Sequence, residues 1–348
     1  MGTKIGGLNL SRFDVSVIVV NYNCIETLND CIRSILLSKG VGGLLLVDNA
    51  STDRSLDLLK DCTDARLKII RLPRNVGLAK ARNLAVTKAK GNYIAFTDAD
   101  SVVDQNWLQA PCSLLETHKE IGAVQCTMLS IRHPNRLSCF GNVAYDINLS
   151  NLPKKWLNSD RFILFPIGAC IITRRDVFDH VLGFDDAFFV GNDDIDFGIR
   201  LWLSGYTVVN SCQGIVFHDG GHLRSRKDMA PIFHFYGVRN MLAIWTKSLQ
   251  GRTLIKQVLP FSLFIPLQAS LRGGGIAGIT GAISFLRTLP STLIKRQETQ
   301  KLRKTSDKEI MQMLRRSKLL PLQESAKDLQ HAYKYIFRKI RAIVQKFS

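Results

Sequence analysis

Asp98 and Asp100 stand one residue apart at the end of the apolar stretch 93–96. In an extended strand, positions i and i+2 point to the same side, so both carboxylates are expected to face one point while Ala99 faces away. Two hard oxygen ligands at the carboxyl end of a strand suit a divalent cation that also holds phosphate oxygens. A solvated turn would carry the same pair, because Asp is common where strands stop. A second acidic group, Asp193, Asp194 and Asp196, has apolar residues on both sides. Crowded carboxylates push at least one pKa upward, which suits a base working near neutral pH. The plainer alternative is a solvated acidic loop. Asp48 closes another apolar run, 44–47, where an unpaired carboxylate would be costly.

Positioning these groups requires strands that end on one edge. Residues 15–20, 44–47, 67–72 and 93–97 read as buried strands. Helical stretches at 27–37, 53–60 and 77–90 alternate with them, with Ser51 as a cap for the second and Gly91 closing the third. Such alternation indicates a Rossmann-like, mainly parallel α/β sheet flanked by helices. Ligands then bind at the strand carboxyl ends, where Asn21, Asn23, Asp48, Asp98 and Asp100 are expected to converge. Further strands are expected at 124–129, 168–173 and 208–218. An acid-rich loop over 188–203 runs into a helix, and 233–247 is helical.

The 348 residues carry a formal net charge of +18, which calls for an anionic partner. Residues 295–348 hold fifteen Lys or Arg against five acids, so the charge belongs mainly to the tail. The eight cysteines show no CxxC or metal-ligand spacing. Residues 1–14 lack a signal-peptide core, so a reducing, cytoplasmic setting is expected.

The motifs 15–23, 47–53, Arg74–Gly77 with Ala81–Asn83, and 96–100 occur in order, followed by 168–169, 183–189, 193–196, His218 and Arg239-Asn240. Together they resemble family 2 glycosyltransferases of the GT-A fold, of the rhamnosyltransferase-like, cell-surface glycan type, over about residues 13–250. The resemblance implies a nucleotide-sugar donor (UDP-, GDP- or dTDP-linked) and Mg²⁺ or Mn²⁺. The implied metal ligands are Asp98, Asp100 and His218, with Asp98 acting also toward the ribose. Asn21, Asn23, Asp48, Asn75 and Gly77 are the implied nucleotide contacts. Asp194 is the implied general base, and Asp193 is catalytic where relatives carry Glu, one methylene longer. Inversion by single displacement is implied, onto a lipid-linked or cell-surface glycan. Bland accounts exist for most of these residues: Asp48 as a helix cap, Asn23 as a turn residue, His218 as a structural imidazole, Asp196 as a helix cap, Arg74 and Arg82 as solvated.

Residues 1–250 are expected to form the transferase domain and 251–348 a helical, basic, membrane-associating extension. The apolar segments 258–271 and 276–286 are too short to span a bilayer, which takes ~20 residues. They would lie shallowly in it or cover a face of the first domain. Residues 319–348 pattern as an amphipathic basic helix suited to an anionic membrane surface on the cytoplasmic side, or to a partner helix. A sugar-phosphate nucleotidylyltransferase would need a Gly-rich loop after the first strand, and Asn21-Tyr22-Asn23 is not one. A nucleic-acid-binding module using the basic tail would leave the paired aspartates unexplained, so no nucleic-acid partner is expected.

Overall fold

The computed structural model describes residues 13–139, 147–148, 159–218, 229–255, 262, 266–267 and 276–316. The first half alternates strand and helix: β1 (Val15–Asn21), α1 (Leu28–Leu37), β2 (Val41–Asp48), β3 (Leu67–Arg71), α2 (Leu78–Val86) and β4 (Tyr93–Asp98). Then come β5 (Val102–Val103), α3 (Gln109–Thr117), β6 (Ile121–Leu129), β7 (Arg136–Cys139), β8 (Ile147–Asn148), β9 (Arg161–Phe162), β10 (Ile171–Arg174), α4 (Arg175–His180), α5 (Asp193–Leu203) and β11 (Thr207–Phe217). Three further helices follow, α6 (Ala230–Ser248), α7 (Ala277–Lys301) and α8 (Asp307–Arg316).

The strands form one sheet in the order β3-β2-β1-β4-β10-β6-β11-β5. From β3 to β4 all pairs are parallel. β10 then enters antiparallel to both β4 and β6, while β11 is parallel to β6. The sheet is therefore mixed rather than mainly parallel. A run such as 171–173, buried on both faces, carries no direction in its pattern.

Strand alternation divides the core. Val17, Val19, Leu44, Leu46 and Ala95 pack under α1 and α3, while Ile18, Leu45, Val47, Ile94 and Phe96 pack under α2, α4 and α5. Local boundaries differ from expectation in two places. Residues 55–59 form one 3₁₀ turn rather than a helix from 53 to 60, and Ser51 does not cap it. The Ser51 hydroxyl instead accepts from the Asn23 amide and the Asn21 side chain. The helix expected over 77–90 ends at Val86.

Of the two courses expected for 276–286, the structure shows packing against the first domain. The stretch 276–286 opens α7, which packs along α6 with Ala277, Gly281 and Phe285 turned inward. A Cβ on Gly281 would lie 2.4 Å from the Phe235 carbonyl oxygen, so glycine permits this approach. Arg296 donates to the carbonyls of Thr246 (2.5 Å) and Leu249 (2.8 Å), and Gln300 to that of Lys247 (2.7 Å). These bonds satisfy carbonyls left open at the end of α6. Residues 258–261, 263–265, 268–271 and 319–348 lie outside the described residues. Among those described, no helix is long and apolar enough to cross a membrane.

Candidate active site

Parallel register aligns the ends of three strands. Asn21 stands beside Asp48, and Val20 beside Asp98. At that edge lies a cleft of about 560 Å³. Its polar wall includes Asn49, Asn75, Gly77, Arg82, Asp98, Asp100, Asp193, Asp194 and His218, and its apolar wall Phe165, Ile167, Phe189, Ile195, Ile232 and Phe233.

Asp98 is the last residue of β4, and Asp100 falls in the turn that follows. The two carboxylates meet through this turn rather than through strand pleating, while the Ala99 methyl is buried in the core. The His218 side chain comes from just beyond β11. Its Nε2 lies 3.4 Å from Asp100 Oδ1 and 3.9 Å from Asp98 Oδ2. One ligand atom from each of the three residues lies within 4.8 Å of the other two. Two carboxylates and an imidazole so placed could hold a divalent cation, and a nitrogen ligand suits Mn²⁺ better than Mg²⁺. Burial pushes the Asp98 carboxyl above its ordinary pKa, partly opposed by Arg82, with the Asp100 charge pushing the same way as burial.

Arg82 organises the other half of the cleft. It is 1% exposed, which rules out the bland account of a solvated side chain. Its Nη2 donates to Asp98 Oδ1 (2.8 Å) and to the Gly168 carbonyl (2.8 Å), and its Nη1 donates to Asp193 Oδ2 (2.9 Å). Its guanidinium carbon lies 5.8 Å and 5.5 Å from the ring centroids of Phe96 and Phe184. A single side chain thus bridges the cation site and the acidic start of α5.

Asp193 and Asp194 occupy the first turn of α5, where the helix dipole favours negative charge. Asp194 accepts from the backbone N–H of Gly168 (3.0 Å) and from that of Ile195 (2.8 Å). Burial and the adjacent Asp193 nonetheless raise its pKa to about 6. Asn240 holds the loop before α5 by donating to the carbonyls of Val190 (3.1 Å) and Gly191 (2.8 Å). Asp196 is not a helix cap. It is buried within α5, ion-paired to Arg200 (2.8 Å) and Lys247 (2.8 Å).

The residues expected at the nucleotide divide into two groups. Asn75 and Gly77 line the cleft, whereas Asn21, Asn23 and Asp48 are not among its lining residues. Asn21 is fully buried, and its amide nitrogen lies 2.9 Å from Asp48 Oδ1 and 2.8 Å from the Ser55 hydroxyl. The Asn23 side-chain Oδ1 accepts from the Thr52 N–H (2.8 Å), tying the loops after β1 and β2 together. Asn49, not singled out from the sequence, does line the cleft. It donates to Asn75 Oδ1 (2.9 Å) and accepts from the Val76 N–H (2.9 Å). Its place directly after a strand-ending aspartate was the available signal. Gly77 adopts φ +87°, and a Cβ there would fall 2.6 Å from the Phe189 carbonyl oxygen.

Residues 16–182 match the sequence profile of Glycosyl transferase family 2. They are a family 2 glycosyltransferase domain. The O-antigen biosynthesis protein RfbC of Myxococcus xanthus is 27% identical over 206 residues, 54% of this chain and 16% of that protein. The succinoglycan biosynthesis protein ExoO of Rhizobium meliloti is 28% identical over 217 residues, 59% of this chain and 60% of that protein. The chain therefore spans only part of the length of these relatives. Among solved structures, a mannosyltransferase of Pyrobaculum calidifontis in complex with GDP-Man and Mn²⁺ superposes with a TM-score of 0.52, at 17% identity and 84% coverage of each chain. At that identity the likeness is one of fold, and the fold of this glycosyltransferase domain is GT-A with a mixed sheet.

Proposed function

We propose that the protein transfers a sugar from a nucleotide-sugar donor to a hydroxyl of a lipid-linked or cell-surface glycan, inverting the anomeric centre. The single observation behind this reading is that Asp98, Asp100 and His218 share one cleft with Asp194. Asp98 Oδ2, Asp100 and His218 would hold Mn²⁺ or Mg²⁺. Such an ion, when bound, offsets the charge that builds on a leaving diphosphate by several kcal/mol.

The chain's own residues divide the remaining work. Asn49, Asn75 and the start of α2 after Gly77 offer amide groups to the donor's nucleotide, and a helix N-terminus favours its phosphate oxygens. Asp48, Asn21 and Asn23 set the backbone of that wall. Arg82 fixes Asp98 and Asp193. Asp194 takes the proton from the acceptor hydroxyl as it attacks, and its raised pKa lets it be ionised at neutral pH while remaining a useful base. Asp193 is assigned a positioning role, its carboxylate being engaged by Arg82. The O-antigen and succinoglycan relatives favour a surface-glycan acceptor. The basic balance of residues 295–348 favours a place at the cytoplasmic face of the cell membrane. We take 1–250 as the catalytic domain and 251–348 as an extension that buttresses it.

The test is donor hydrolysis over UDP-, GDP- and dTDP-sugars with and without Mn²⁺. Release of nucleoside diphosphate that needs the cation and disappears in Asp100→Asn is expected. Release that is cation-independent, or absent with every donor, would refute the assignment.

A further inference from the structure

α7 runs parallel to α6. Gly281 backs onto the Phe235 carbonyl near their starts, and Arg296 reaches the Thr246 and Leu249 carbonyls near their ends. The inward face of α7 is accounted for by this packing, but its outward face is unusual for a helix turned to water. Ile276, Ile279, Ile283, Leu286, Leu293 and Ile294 are each between 46% and 73% exposed. They recur at helical spacing over about 27 Å of axis. Between residues 276 and 294, Arg287 is the one exposed charge. A helix facing solvent ordinarily carries its polar residues there, and apolar patches of this extent mark contact surfaces.

The charge around the stripe points to the occupant. Lys301, Lys304 and Lys308 are exposed just beyond it, among the acids Glu298 and Glu309, and the described residues 295–316 hold eight Lys or Arg against three acids. Aliphatic side chains bordered by basic groups match the headgroup layer of an anionic bilayer, which takes hydrocarbon at one depth and lysine at the next. Geometry adds a consequence. Because the two helices are parallel, the start of α7 lies beside the start of α6, where Met229, Ile232 and Phe233 line the cleft.

We propose that the outward face of α7, from Ile276 to Ile294, seats in the headgroup layer of an anionic membrane and holds the mouth of the cleft at its surface. The contact gives residence on the membrane to the folded domain itself, through a described helix, and shortens the path of a membrane-bound acceptor to Asp194. It rests on the transferase reading only for what enters the cleft. The contact is tested separately from that reading.

The full chain and its Ile279→Asp/Ile283→Asp variant are compared in co-sedimentation with phosphatidylcholine vesicles, with and without phosphatidylglycerol. Both positions are about half exposed, so the variant is expected to keep its unfolding temperature and its Mn²⁺-dependent donor hydrolysis. Wild type should bind the anionic vesicles, release them at high salt and bind neutral vesicles weakly. The variant should lose at least about tenfold in partitioning. Equal binding by variant and wild type, or no binding by wild type, overturns the proposal. So does a drop in the variant's unfolding temperature without vesicles, which would show the face already covered within the chain. A wild-type dimer dissolved by the variant would assign the face to a second copy and overturn it as well. Absent donor hydrolysis with intact vesicle binding defeats the transferase reading and leaves this one standing.

Discussion

Replacing Arg82 probes both halves of the site at once. The guanidinium serves two carboxylates and a carbonyl from a fully buried position. Removing one partner of a buried ion pair costs about 3–5 kcal/mol, because the other charge is left uncompensated. Asp98 is partly exposed and regains some hydration, so Arg82→Met is expected near the low end, at about 3 kcal/mol. In a chain of this size that lowers the unfolding temperature by roughly 4 °C. Arg82→Lys keeps the charge, but one ammonium lacks the planar fork that spans Asp98 and Asp193. Its loss should be intermediate, about 1.5–3 kcal/mol.

Catalysis should suffer more than stability. Freed Asp98 and Asp193 carboxylates would swing away from each other, and a misplacement of about 1 Å commonly costs 100-fold in rate. A fall in kcat of about that size is expected in Arg82→Met, with Lys recovering part of it. The decisive control is Arg82→Met/Asp193→Asn. Removing both partners of the Arg82–Asp193 pair should recover at least about 1.5 kcal/mol relative to additivity, measured by chemical denaturation. Additivity within about 0.5 kcal/mol, together with unchanged kcat, would refute the bridging role.

Four further outcomes are expected. With Asp194 as base, donor turnover onto acceptor should rise with pH through about 6 and then level, and Asp194→Asn should remove the rise along with most of the rate. The raised pKa also means that this residue favours the fold when protonated. Its stability contribution is complete below the ordinary Asp value of 3.8 and is lost as pH climbs through about 6, which a pH series of denaturation midpoints would detect in wild type but not in the Asn variant. Burial alone would raise the Asp185 pKa, but Lys247 and Lys295 more than reverse this, so its contribution is present above 3.8 and lost as pH falls. Acid unfolding should therefore begin at higher pH in Lys247→Met. Gly77→Ala forces both a left-handed φ and a clash with the Phe189 carbonyl, which should cost about 1–3 kcal/mol and raise the donor KM more than it lowers kcat.

How far the site could be read from sequence depended on how local its determinants are. Strand ends were legible because the runs at 15–20, 44–47 and 93–96 are continuous and stop at polar residues, and parallel register does the rest. The acidic start of α5 was legible from its apolar flanks. Arg82 was not: its partners Asp98 and Asp193 lie 16 and 111 residues away, and nothing within a helical turn of it announces a buried charge. Asp196 was misread for the same reason, since Lys247 arrives from a later helix. Asp100 was placed correctly for a different cause than expected, because a turn brings it back to Asp98 where pleating would have served only inside the strand. The antiparallel entry of β10 was invisible to a pattern that records burial but not direction.

The buried charges beneath α5 explain why α7 belongs to the working unit rather than hanging from it. Asp196 lies within a turn of Asp193 and Asp194, so whatever holds Asp196 also fixes the height of those carboxylates in the cleft. It is held by Arg200 from its own helix and by Lys247 from α6, whose ammonium lies 2.8 Å from Asp196 and 2.5 Å from Asp185. Lys247 is buried and cannot leave either acid unpaired without a penalty larger than a surface pair would ever show. Asp185 is completed by Lys295, which comes from α7. The cluster therefore closes only when α5, α6 and α7 are docked together. A helix whose outward face is apolar is thus tied, through three ion pairs, to the turn that carries the proposed base.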